Sequence, residues 1–176
     1  MPADTDPAAA FAAEAHAAGA DEAQVAALTD GEVTYAEYEA AMNRSFECMR
    51  TQGFQVDVKG ARPYNGVTIL EFEVGGTNSA TNLDTEAGRA LLEDCNRRHS
   101  SQVESFWQAM SPDAVAYNER RDAALSPLLR ECLDRNDVDL AEDASMHDMI
   151  AAATDLLVRT DGTDCVTEIG YPTWDG

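Results

Sequence analysis

Four cysteines are the residues of this chain best suited to chemistry, and they fall as pairs around two versions of one short motif. The first version runs Glu47-Cys48-Met49-Arg50-Thr51-Gln52-Gly53-Phe54-Gln55-Val56 and the second Glu131-Cys132-Leu133-Asp134-Arg135-Asn136-Asp137-Val138-Asp139-Leu140. In each, an acid and a cysteine close a helix. Gly53 or Asn136 then stands where a C-terminal cap takes a positive φ, and an alternating segment follows. Each version has one later cysteine to pair with, Cys95 for Cys48 and Cys165 for Cys132. Structural disulfides, free buried thiols and a metal or redox centre are the three uses open to such a set. There is no CxxC spacing, and only Cys95 has a histidine, His99, within a few residues. The expected pairs are therefore Cys48–Cys95 and Cys132–Cys165.

Other chemistry is weighed against plainer roles. Cys95 and His99 lie one helical turn apart and could support a nucleophile, but a cysteine held in a disulfide cannot attack. Asp30-Gly31-Glu32-Val33-Thr34-Tyr35-Ala36-Glu37-Tyr38 resembles the back half of a calcium-binding EF-hand loop. With Gly31 at loop position six, the first two ligand positions become Ala26 and Leu28, which offer no side-chain oxygen. A turn followed by a capping box, Thr34 with Glu37, is the plainer reading. Asp137, Asp139, Glu142 and Asp143 crowd one loop and read as solvated surface. Carboxylate pairs for glycoside hydrolysis can be proposed anywhere among 33 acids, and none is singled out. The chain carries no phosphate-binding glycine loop, no GxSxG and no HExxH. No catalytic residue, cofactor or metal site is expected.

The elements that must carry the cysteines follow from periodicity. Residues 1 to 19 read as a leader, flexible at first and then an Ala-rich helix with few large groups to anchor it. Asp21 can cap a short helix bearing Val25 and Leu28. Thr34 opens a helix whose Tyr35, Tyr38, Met42, Phe46 and Met49 form one stripe, with Cys48 beside it. Phe54, Val56 and Val58 alternate with polar residues. A loop from Gly60 to Gly66 follows, then a β-rich run from Val67 to Val74 that ends at Gly75-Gly76. Thr77 to Asn82 reads as a mobile loop. One helix is expected from about Asp84 to Met110, with Leu92, Cys95, His99, Val103, Phe106 and Met110 on its apolar face. Ser111-Pro112 restarts the chain, and Ser126-Pro127 should force a second restart or a kink. Leu125, Leu128, Leu129 and Cys132 form the next stripe. Ser145 caps a helix bearing Met146, Met149, Ile150, Ala153 and Leu157. A turn at Asp161-Gly162 delivers Cys165 to a short strand, Val166 to Ile169, and the aromatic end Tyr171-Pro172-Thr173-Trp174 can tuck onto the body. The expected class is α+β: amphipathic helices on a small antiparallel sheet, stapled by two disulfides. A helix-hairpin-helix domain spans 20–111, and a mainly helical part, 112–176, packs on it.

Composition bounds the partners. Net charge is −21 over 176 residues, and Lys59 is the only lysine. Such a surface repels nucleic acid and anionic membranes and favours solubility. A GC-rich genome or adaptation to high salt are alternative sources of the bias. No apolar run is long enough to span a bilayer, and Met1-Pro2-Ala3-Asp4-Thr5-Asp6-Pro7 is not a signal peptide. If the cysteines are oxidised, the chain must be exported. An export signal is then expected to have been cut away, with Met1 as an expression start.

The run from Asp30 to Ala41 through Glu47-Cys48-Met49-Arg50-Thr51-Gln52-Gly53-Phe54, the strands, and Asp94-Cys95 resemble a group of exported proteins of high-GC Gram-positive bacteria. Many of these are lipoproteins with no assigned activity. The resemblance covers roughly residues 20 to 110. It implies an extracytoplasmic address, secreted or on the outer face of the cell membrane, with a lipid anchor lost with the signal segment, and it supplies no catalytic residues. The functional expectation is a non-enzymatic accessory or binding protein with a protein partner at the cell envelope. A secreted hydrolase using clustered carboxylates and a weak Ca²⁺-responsive module are the alternatives.

Overall fold

A computed structural model describes residues 6–160 and 162–171, an α+β chain with a two-stranded antiparallel sheet. It divides into two compact units, 1–116 and 117–176.

The first unit is built around α3 (Tyr35–Gln52). Thr34 and Glu37 complete the capping box at its start, and Gly53, at φ 94°, closes its end by donating to Met49 O and Arg50 O. The stripe read from the sequence is its core face: Tyr38, Met42, Phe46 and Met49 are buried and Tyr35 half-buried. Each such side chain contributes about 1.5–3 kcal/mol of apolar transfer energy when fully buried. Against α3 pack α4 (Glu86–His99), α5 (Ser101–Met110), and the hairpin of β1 (Phe54–Tyr64) and β2 (Val67–Gly76).

The Ala-rich leader is the helix α1 (Pro7–Ala17), and it packs on α2 (Glu22–Thr29) and α5. Ala8 and Ala15 are fully buried, and Phe11 meets Phe106 edge-on at 5.5 Å. One aromatic anchor and two small close contacts replace the large groups that the sequence lacks.

Three expectations for this unit are corrected. The loop expected from Gly60 to Gly66 is strand: β1 continues to Tyr64 with a bulge between Val58 and Gly60. The turn is only Asn65-Gly66, with φ 46° and 88°, the two-residue form that suits strand twist. The single helix expected from Asp84 to Met110 is two, α4 and α5, meeting at Ser100. The stretch read as a mobile loop is a tightly bonded turn around Thr81, which is fully buried. Thr81 Oγ1 accepts from Thr77 N at 3.0 Å, and Asn78 Oδ1 from Ala80 N at 2.9 Å. These short side chains satisfy the backbone locally.

The boundary between the units falls within α6 (Pro112–Arg135). Ser111 Oγ accepts from Ala114 N at its start. Of the restart or kink expected at Pro127, the restart is overturned: α6 runs through Pro127 without interruption. Ser126 Oγ donates to Asp122 O at 2.6 Å, one turn back.

The second unit packs α6 with α7 (Met146–Thr160) and α8 (Cys165–Glu168) around Leu129, Cys132, Leu133, Met149, Ala153 and Leu156. Ser145 and Asp148 form a capping box on α7. The α7 stripe is rotated from expectation: Leu156 is buried and Leu157 exposed. The strand expected at Val166–Ile169 is the helical turn α8: Asp164 Oδ1 caps it through Thr167 N, and among the described residues the sheet consists of β1 and β2 alone. The second motif copy departs from the first in the same way. Its positive φ falls on Asp137 rather than Asn136, and Val138 and Leu140 pack onto the unit's core instead of forming a strand. Asp161 and Pro172–Trp174, the rest of the expected turn and aromatic end, lie outside the described residues.

Candidate functional site

All four cysteines are oxidised. Cys48 joins Cys95, with Cα atoms 5.6 Å apart, and Cys132 joins Cys165, at 5.8 Å. Each link closes within one unit. Closing spans of 47 and 33 residues stabilises each by about 4 kcal/mol in the chain-entropy argument. The first link fixes α4 to α3, the helix on which the hairpin packs.

His99 does not face Cys95 as a catalytic partner. Its Nδ1 lies 2.7 Å from Oδ2 of Asp21, and that carboxylate also caps α2 through Gln24 N, at 2.7 Å. Arg44 Nε stands 3.6 Å from the same oxygen, an ion-pair distance. Burial pushes the Asp21 carboxyl up, but the Gln24 N–H, His99 and Arg44 outweigh it and hold it below the usual value.

Gln24, which the sequence reading passed over, explains the break at Ser100. Fully buried, it donates from Nε2 to Arg97 O at 3.0 Å and accepts at Oε1 from Gln102 N at 2.8 Å. Asp21 N donates to Arg98 O at 2.8 Å. The N-terminus of α2 thus satisfies backbone groups that an unbroken helix would have paired internally. The sequence signal was faint: a polar residue four positions before Leu28 on a buried face.

The hairpin is held along one edge. Tyr38 Oη accepts from Leu70 N at 3.0 Å, and Trp107 Nε1 donates to Thr68 O at 2.8 Å. The Tyr38 and Trp107 rings stack at 5.9 Å, and Phe46 meets Phe72 at 4.6 Å. Burial pushes the Tyr38 phenol up to about 12, so it stays protonated. Glu104, nearby on α5, is also raised by burial, while its bond from Gln108 lowers it in part. Its close polar neighbour is thus an amide, and its charge acts on Tyr38. Among the described residues, no second carboxylate is a cause of its shift.

The other edge is open. In β1, Gln55, Asp57, Val58, Lys59, Ala61, Arg62 and Pro63 are exposed. Among the described residues, the only side chain reaching a β1 backbone group beyond the first residue is Arg50, whose Nη2 donates to Val56 O at 3.4 Å. Lys59 pairs with Asp57 and, at 3.1 Å, with Glu73, while Arg62 lies 3.7 Å from Glu71. The bulge, Lys59 and Pro63 blunt this edge against strand addition, so what it offers is its side chains.

Glu37 Oε2 accepts from Thr34 N and Oγ1, at 2.8 and 2.7 Å, which commits the closing acid of the EF-like run to the cap. Among the described residues no three His, Cys, Asp or Glu side chains gather as metal ligands. His16 and His147 are exposed. Compared with family models, with curated proteins and with solved structures, the chain matches none.

Proposed function

We propose that this chain is an extracytoplasmic accessory or binding protein with no reaction of its own, acting through protein contacts at the cell envelope and presenting the β1 side of its hairpin. The observation that carries the reading is the asymmetry of that hairpin. One edge is gripped by Tyr38 and Trp107 on a disulfide-braced scaffold, and the other strand is left exposed for most of its length. A rigid, pre-set arm loses little entropy when a partner binds it.

The address rests on sulfur. Two disulfides, with no described helix long and apolar enough to cross a membrane, are compatible with an extracytoplasmic location. The resemblance to exported, often lipidated proteins supports the same address.

Photo-crosslinking in intact envelope tests the reading. A crosslinker at Val58, on the hairpin, is expected to yield one discrete adduct, and one at exposed Val158 on α7 none. An absence of adduct at Val58, or equal adducts from both positions, would refute it.

A further inference from the structure

The second unit contains a cleft of about 490 Å³, lined by Tyr117, Arg120, Arg121, Ala124, Leu125 and Gly170. Five of these residues lie on one face of α6, at the i, i+3, i+4, i+7 and i+8 spacing that brings side chains together. The volume falls within the roughly 300–1,000 Å³ of small-molecule sites.

The two arginines of the cleft differ in kind. Arg121 is spent: Nε and Nη2 donate to Asp122 Oδ1 at 2.9 and 2.7 Å, and its guanidinium lies 4.6 Å from the Tyr171 ring centroid. It forms a fixed, neutralised wall. Arg120 is exposed and, among the described residues, makes no ion pair or hydrogen bond. Each of the chain's other basic side chains has such a partner. In a protein with 33 acids against 12 bases, a guanidinium with no partner among the described residues, beside an apolar floor, is out of keeping with the rest of the surface.

We propose that this cleft binds a small carboxylate carrying a compact apolar body. Arg120 takes the carboxylate, for which a planar guanidinium offers two parallel N–H donors. Tyr117, Ala124 and Leu125 take the body, and the Arg121–Tyr171 pair closes one side. The site shares no residue with the hairpin, and its fate is independent of the envelope-partner reading.

Phenylacetate and its uncharged counterpart phenylacetamide are the probes, followed by backbone-amide NMR titration of the full chain. Phenylacetate is expected to shift the amides of residues 117–125 and Gly170 saturably, with phenylacetamide about tenfold weaker, the size of one charge-assisted hydrogen bond. Arg120→Gln should remove that preference at an unchanged melting temperature, leaving phenylacetamide binding as it was. Leu125→Asn should weaken both probes. Equal affinity for the two probes, a preference that survives Arg120→Gln, or shifts confined to other residues would overturn the proposal.

Discussion

At the scale of single residues, the buried polar groups govern how this chain responds to mutation and pH. Gln24→Leu keeps the volume but leaves Arg97 O and Gln102 N without partners, at about 1–3 kcal/mol for each group. Denaturant unfolding should register that loss, whereas a surface variant such as Gln55→Leu should change stability little. Tyr38→Phe strands Leu70 N and should cost a similar amount for one group. Two of the perturbed carboxyls, Glu104 and Asp21, act with opposite sign. Burial raises Glu104, so the fold favours its neutral form. Its contribution is present below the ordinary carboxyl value of 4.5 and is lost as pH rises through the raised one. Glu104→Gln should therefore raise the melting temperature at neutral pH and gain nothing in acid. Asp21 is held below its ordinary 3.8, so its contribution is present above that value and is lost as pH falls through the lowered one. Asp21→Asn should be destabilised at neutral pH and should show less acid sensitivity below pH 3.8 than the parent. Melting curves across the acid range check both.

At the scale of elements, what could be read in advance was whatever depends on a local pattern. The α3 stripe, its capping box and the φ of Gly53 follow from spacing and from one residue's freedom, and they form as expected. The hairpin's turn carried a readable signal as well: Asn65-Gly66 between two β-rich runs is the strongest short-range hairpin mark. Gly60 and Pro63 drew attention away from it, although the bulge absorbs the first and an edge position tolerates the second. The break at Ser100 was not legible, because its cause sits some 78 residues away in sequence, in Asp21 and Gln24. Nor was α8, since whether Cys165–Glu168 extends or coils depends on its neighbours in space, and among the described residues no strand pairs with it. The Tyr38–Trp107 grip on β2 joins residues 39 apart in sequence, Thr68 and Trp107, and the apolar pattern shows only that Tyr38 lies on a core face and Trp107 at the edge of one. The tight turn after β2 gives an element-scale test. A Cβ at Gly88 would fall on the Asn82 carbonyl, a backbone group that cannot swing aside. Gly88→Ala should cost more than about 3 kcal/mol, beyond the range of ordinary substitutions, and chemical denaturation will measure it.

At the scale of the whole molecule, two features act together: a surface carrying −21 net charge and a pair of crosslinks that limit how far the unfolded chain can expand. Like charges held close together within each folded unit repel, and added salt screens them over about 10 Å at 0.1 M. The melting temperature should rise between low salt and about 0.15 M sodium chloride, the reverse of what a fold resting on surface ion pairs would show. Because each disulfide closes within its own unit, their removal should be felt separately. Cys132→Ser with Cys165→Ser should lower hydrogen-exchange protection at Leu129–Leu133 and Met149–Leu156, and Cys48→Ser with Cys95→Ser at Tyr38–Met49. The oxidised state of these four side chains underlies the stability, the hairpin's support and the proposed address alike. Non-reducing peptide mapping of protein freshly isolated, without reductant, from the cells that make it tests it most directly. The account predicts two linked species, the Cys48 peptide with the Cys95 peptide and the Cys132 peptide with the Cys165 peptide. Recovery of alkylatable thiols at these positions, or of any crossed pairing, would contradict it.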